Sequence, residues 1–252
     1  MKIDFVLTAG NLNHHYLQLF PLIHQVWKKR FNLICKLVLV ADEIPNYLIK
    51  FKDDIILFKP LEDLNNIFVA QVIRLLYPAL FPEKIILITD LDILPAKKDY
   101  FLKPIEYLHN DTFVTYTDRY KKQKMYAICY NVAKGSVFRK MFSVETTDDI
   151  INKLKEWYHP EYNGKKNCLG WYTDQKQLFI NFEKYNGYKI SLSDKDIGYK
   201  RLNNRARDKE YIIKNFDEII KNLESYSDIH CIKPFSKTKG VLNKMVKKLI
   251  KK

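Results

Sequence analysis

Two aspartates stand one residue apart where an apolar run ends, in Lys84-Ile-Ile-Leu-Ile-Thr-Asp90-Leu-Asp92-Ile-Leu-Pro95. Read as a strand ending on this pair, the run alternates its side chains, so carboxylates two residues apart emerge on one side. Two hard oxygen donors facing one point at a strand's C-terminal end suit a divalent cation that leaves positions open for phosphate oxygens. An imidazole added to them shifts preference from magnesium toward manganese. His230, in Ser227-Asp-Ile-His-Cys-Ile, is the candidate nitrogen. Arg74, in the otherwise apolar Val72-Ile-Arg-Leu-Leu-Tyr-Pro78, and the lysines near the histidine, Lys233 among them, can neutralise phosphate further. A divalent ion held by such a set can stabilise, as a Lewis acid, negative charge that develops on phosphate oxygens.

Taken singly, each of these residues has a plain structural use. An arginine on an apolar helix can snorkel to solvent, a histidine can be a satisfied core residue, and Asp174-Gln175 can simply open a helix with an acid in its first turn. Their joint arrangement gives them meaning, and that arrangement depends on the elements around them. The N-terminal half alternates strand and helix signals, which predicts an α/β sandwich with a mostly parallel sheet. Residues 3–8 read as a strand and 9–13 as a turn. Residues 14–30 carry helical spacing at Leu17, Phe20, Ile23 and Trp27, 33–41 form a continuous apolar strand, and 55–58 a short one. Residues 65–81 read as a helix with Phe68, Val72, Leu75 and Leu76 on one face, and 85–89 as the strand that delivers the aspartates. The Thr8-Ala9-Gly10-Asn11 turn sits where an α/β sheet receives a nucleotide base and ribose. Further on, 112–116 and 127–132 read as strands, the first ending at Asp118. Helices are expected from Thr146-Thr147 through Trp157, over 174–183 and over 211–223. The chain contains only 7 glycines, with no dinucleotide fingerprint and no Walker lysine loop.

The segment 68–95 resembles the metal-site segment of GT-A glycosyltransferases and is most similar to glycosyltransferase family 8, the retaining galactosyl- and glucosyltransferases that use nucleotide sugars. The resemblance spans residues 3 to 235. It implies a GT-A-like fold with a mixed, mostly parallel central sheet flanked by helices. It also implies a hexosyltransferase that takes a nucleotide-diphosphate sugar, UDP-linked by expectation, to a glycan or glycolipid acceptor with retention. By the same likeness Asp90, Asp92 and His230 would hold Mn2+ (or Mg2+), and Thr8, Ala9, Gly10, Asn11, Arg74, Asp90, Leu91 and Lys233 would contact the nucleotide sugar. Asp174-Gln175 would lie beside the donor sugar, with Asp118 another carboxylate near the sugars. Three stretches depart from the family pattern. Its Asn-Ala-Gly signature corresponds here to Ala127-Ile-Cys-Tyr-Asn-Val-Ala, its acidic pair after the first strand to Gly10-Asn11, and its ending is shortened to His230-Cys-Ile-Lys-Pro-Phe235. One alternative is an inverting enzyme with Asp174 or Asp118 as base. Others are a basic nucleic-acid-binding protein without transfer activity, and a nucleotide-sugar-binding protein that has lost transfer.

Composition bounds the rest. A chain of 252 residues with 47% hydrophobic content supports one domain with a sizeable core. The formal charge of +14 is concentrated: residues 236–252 hold seven lysines and no acid, leaving 36 basic and 29 acidic residues in the body. Residues 1–235 therefore read as the catalytic domain and 236–252 as a basic amphipathic tail. Its stripe of Val241, Leu242, Met245, Val246, Leu249 and Ile250 suits an anionic membrane surface or, alternatively, docking on the domain's own core. No nucleic-acid partner is expected, since no aromatic interleaving accompanies the lysines. The four cysteines (35, 129, 168 and 231) lie far apart with no Cys-x-x-Cys pair, and neither a secretory leader nor a membrane span is evident. A cytoplasmic protein is expected, peripheral on the membrane face if the tail binds lipid.

Overall fold

A computed structural model describes residues 1–202, 211–231 and 233–251; Ile232 of the shortened ending and Lys252 of the tail lie outside the described residues. The central sheet has seven strands in the order β3-β2-β1-β4-β7-β6-β8. They are β1 (Phe5–Asn11), β2 (Ile34–Val40), β3 (Ile55–Phe58), β4 (Ile85–Ile88), β6 (Phe113–Thr115), β7 (Asn131–Lys134) and β8 (Lys189–Ser191). Pairings from β3 through β4 are parallel, β7 is antiparallel to both β4 and β6, and β8 returns parallel to β6. This is the mixed, mostly parallel α/β sheet that the alternation of strand and helix signals predicts. A second, three-stranded sheet sets β5 (Ile93–Pro95) antiparallel to β10 (Asp228–His230), with β9 (Arg201–Leu202) parallel to β10 on the other side.

Every residue of β4 is buried, because helices cover both faces of the sheet. The strand period of two divides the core accordingly. Leu7, Val38, Ile86 and Ile88 pack with helix α3 (Asn66–Leu76) through Phe68, Val72, Leu75 and Leu76. Val6, Leu37, Leu39 and Leu87 face the other way, toward α2 (Phe20–Val26), Trp27 and Phe31. Helix α3 starts where Asn65 caps it, its side chain accepting from Ile67 N at 2.9 Å, and ends in a 3-10 turn as Pro78 removes a backbone donor. The helix expected over 65–81 is therefore α-helical only to Leu76.

Three local expectations are corrected. The first strand continues to Asn11, since β2 pairs with it as far as Asn11 opposite Val40, so Ala9–Asn11 are strand and not turn. Strand β4 stops at Ile88, and Asp90 and Asp92 stand on the turn between β4 and β5, between the two sheets, with no strand alternation to align them. Residues 127–130 precede β7 as loop and contain a cis Cys129–Tyr130 peptide bond.

Of the two expectations for the tail, the structure shows docking on the core. A C-terminal helix, Phe235–Ile250, packs on α2 and Trp27 through the very stripe read as a membrane contact. Leu242, Met245 and Leu249 are fully buried and Val246 nearly so. Buried Arg30 fastens the helix end, donating to Leu249 O at 2.8 Å, to Ala96 O at 2.9 Å and to Glu224 Oε1 at 2.8 Å. The apolar face of this helix is thus buried on the domain's own core. Among the described residues no helix is long and apolar enough to cross a membrane. All four cysteines are free, three of them buried.

Candidate active site

The sheet's C-terminal edge opens into a cavity of about 500 Å³, within the range that accepts small-molecule ligands. Strand β1 supplies Ala9, Gly10 and Asn11, the β4–β5 turn Asp90, Leu91 and Asp92, helix α3 Gln71 and Arg74, and helix α7 (Thr173–Lys184) Asp174 and Gln175. Gly10 leaves room for Leu91, since a Cβ there would stand 2.6 Å from Leu91 Cδ2 and push that side chain aside.

Arg74 organises the centre. Its guanidinium donates to Asp90 Oδ1, to Asp174 Oδ2 at 3.1 Å and to Gln71 O at 3.0 Å, so one planar fork joins three elements. Asp174 is only 3% exposed. Burial raises the Asp174 carboxyl above its usual range, although Arg74 and the Gln175 backbone N–H, which donates to its Oδ1 at 2.8 Å, favour the charged form. Asp92 is the mirror case. Burial pushes it up, yet His230 Nε2 at 2.9 Å and Lys233 Nζ at 2.7 Å from Oδ2 hold it well below the usual carboxylate range. Lys233 also lies over the ring of Tyr16, 3.9 Å from its centroid. Backbone register brings His230 here: it lies opposite Ile93 in the β5–β10 ladder, and Cys231 N donates to Asp92 O at 2.8 Å.

Most of the residues singled out from sequence therefore meet. Ala9, Gly10, Asn11, Arg74, Asp90, Leu91, Asp92, Asp174 and Gln175 line one cavity, with His230 and Lys233 on Asp92. Thr8 does not line it; the residue is fully buried, and its Oγ1 has no hydrogen-bond partner among the described residues. Asp118 lines neither this cavity nor the adjoining one and instead starts the turn closed by Lys121 N donating to its carbonyl at 2.9 Å.

The donor set of Asp90, Asp92 and His230 fits a divalent ion by its chemistry, two hard oxygens and one nitrogen. As folded, however, each carboxylate is matched by a protein cation, and no three such groups are clustered among the described residues. A bound ion would take the place of Arg74 on Asp90 and of Lys233 on Asp92.

Sequence reading missed Gln71, Trp171, Lys166 and Arg201. Gln71 was recoverable, lying one helical turn before Arg74 on the same face. Its Oε1 accepts from Tyr162 OH at 2.6 Å, and Tyr162 stacks on Trp171 with rings 4° from parallel, which fixes the indole at the cavity wall. Arg201 is held by Asp228, two residues before His230, through bonds of 2.6 and 3.0 Å. Nothing local in sequence marks that pair.

No family profile and no curated protein sequence matches the chain. Among solved structures it is similar to the galactosyltransferase LgtC in complex with donor and acceptor sugar analogues, at 12% identity and a TM-score of 0.47, over 97% of this chain and 95% of that one. It is also similar to the glycosyltransferase GlyE of Streptococcus pneumoniae TIGR4, at 14% identity and a TM-score of 0.49, over 92% of this chain and 55% of that one. A glycosyltransferase involved in glycosylation of the major capsid of PBCV-1 aligns over 97% of this chain and 98% of its own at 9% identity and a TM-score of 0.44. Likenesses of this degree leave function to be argued from the site.

Proposed function

We propose that this protein is a metal-dependent GT-A glycosyltransferase that moves a hexose from a UDP-sugar to a glycan or glycolipid acceptor with retention. The observation that carries this is the meeting, in one cleft at the sheet's C-terminal edge, of Asp90, Asp92, Arg74, Asp174 and Gln175, with His230 and Lys233 on Asp92. In the transfer the bond from the sugar's anomeric carbon to the diphosphate oxygen breaks and a bond to an acceptor oxygen forms. The electron pair leaves on the nucleoside diphosphate, and the acceptor's proton passes to the departing phosphate. A manganese ion held by Asp90, Asp92 and His230 would supply Lewis-acid stabilisation of the leaving diphosphate. Arg74, held also by Asp174, and Lys233 would offer their positive charge to the phosphate oxygens. Gly10, with no side chain, lets the nucleotide approach β1 closely.

Retention is favoured over inversion by where the carboxylates stand. A second cavity of about 470 Å³ adjoins the first and shares Arg74, Asp90, Lys166, Trp171 and Gln175 with it. Of the two candidate bases, Asp174 lines only the first cavity and Asp118 lines neither, whereas an inverting base must reach the acceptor hydroxyl. A panel of nucleotide sugars assayed for thermal stabilisation and hydrolysis, with and without Mn2+, tests the reading. UDP-sugars should stabilise the fold in a metal-dependent way and be hydrolysed slowly. If no nucleotide sugar does either, the reading fails.

A further inference from the structure

The second cavity carries Trp171, Tyr172 and Tyr120 with the amide side chains of Gln123 and Gln175. Flat aromatic faces interrupted by a few polar groups suit a sugar ring, which presents apolar C–H faces and equatorial hydroxyls. Its interior charges are already matched: Arg74 by Asp90 and Asp174, Arg201 by Asp228.

The rim is different. Tyr120, Gln123 and Met125 come from one tight turn, closed by Met125 N donating to Tyr120 O at 3.2 Å and by Gln123 N donating to the same oxygen at 3.0 Å. Interleaved with them in sequence are Lys121, Lys122 and Lys124, which are exposed and stand on the solvent side of the turn without lining the cavity itself. On the loop that contributes Lys166 to the cavity, Lys165 and Lys166 are exposed too. Among the described residues the lysines engaged in salt bridges are Lys84, Lys103, Lys134, Lys153 and Lys233, so none of these five rim lysines has an acidic partner. Arg119, on the same turn, is taken by Asp194. Exposed charges are weak singly, but several of one sign around a low-dielectric cleft focus the field on whatever enters it.

We propose that the acceptor is an acidic glycan, its sugar ring against Trp171 and Tyr172 and its carboxylate or phosphate at the rim formed by Lys121, Lys122, Lys124 and Lys166. This rests on the reading of the cleft as a glycosyl-transfer site and adds the chemical class of the acceptor.

The test is binding of the intact protein to immobilised oligosaccharides, each presented in neutral, uronate and phosphomonoester forms. UDP affinity and UDP-sugar hydrolysis are measured on the same preparations. The acidic forms should be retained over the neutral ones, and the preference should fall about tenfold between about 0.05 and 0.5 M salt. Lys121→Glu with Lys122→Glu should abolish it while leaving UDP affinity and donor hydrolysis unchanged, since neither lysine lines the donor cavity. Uronate against phosphate retention identifies the acidic group. Equal retention of neutral and acidic forms, no retention of any acidic form, insensitivity to salt, or an unaffected double variant would each overturn the inference. Donor hydrolysis separates the two claims. If it persists without acidic preference, only the acceptor class fails; if no donor is turned over or bound, the transfer reading fails and the acceptor class with it.

Discussion

His230 Nε2 stands 2.9 Å from Asp92 Oδ2 although 138 positions separate the two residues, and the antiparallel ladder between β5 and β10 sets that distance. Secondary structure thus fixes one carboxylate–imidazole pair, while Arg74 on α3 fixes the other carboxylate, Asp90.

The pair is expected to act through metal. In Asp92→Asn the affinity for UDP measured by calorimetry should lose its enhancement by Mn2+, because the oxygen nearest the imidazole no longer carries full charge. His230→Ala should weaken Mn2+ binding more than Mg2+ binding, by the 10–100-fold order that loss of even an outer-shell partner costs. Equal weakening of both ions, accompanied by a lower melting temperature, would make His230 a structural residue.

Asp174 should matter to turnover and little to UDP binding. Asp174→Asn keeps the shape and one hydrogen bond to Arg74 but removes a buried charge at the donor-cavity wall. We expect kcat to fall on the order of 10²–10³-fold, the scale of losing a fixed electrostatic group, with the Kd for UDP within about threefold of wild type. Near-normal turnover would remove Asp174 from the chemistry.

How much of this was legible in the sequence depends on what each residue needed. Asp90 and Asp92 were visible because they end an apolar run, and Arg74 because it interrupts an apolar helix face. Their alignment was misjudged: strand alternation was assumed, whereas the pair occupies a turn whose path is set by the second sheet. That sheet was invisible, since β5, β9 and β10 are two or three residues long and leave no periodicity to detect. The membrane reading of the C-terminal helix failed for a related reason. An amphipathic stripe reports that a face will be covered, and α2, far away in sequence, is what covers it. Thr8 was placed at the site by analogy with a turn, but the longer β1 draws it into the sheet, where it is fully buried.

The Arg201–Asp228 pair should be a stability element at the floor of the second cavity. Asp228 is fully buried, and Arg201 donates to both of its oxygens. Asp228→Ala would leave a buried guanidinium without its counter-charge, at a cost of about 3–5 kcal/mol in denaturant unfolding. Replacing both residues, as Arg201→Met with Asp228→Leu, should restore much of that loss. A single replacement that cost less than about 1 kcal/mol would mean that Arg201 finds other partners.

Removal of the C-terminal helix should damage the fold rather than release the protein from membranes. Leu242 and Leu249 are fully buried against the core that includes Leu22, Ile23 and Trp27. Each single change, Leu242→Ala or Leu249→Ala, should therefore destabilise by about 2–5 kcal/mol through lost burial and the cavity left behind. Deleting residues 235–252 should leave Arg30 buried without its Leu249 carbonyl partner and expose Trp27, so the truncated protein should melt early or aggregate. The intact protein should not co-sediment with neutral vesicles, because its apolar stripe is occupied. Any binding to anionic vesicles should come from the exposed Lys237, Lys239, Lys244 and Lys247 and disappear at high salt. A stable, monomeric truncation with an unchanged melting temperature would show instead that the helix is an appendage and return its apolar face to the membrane.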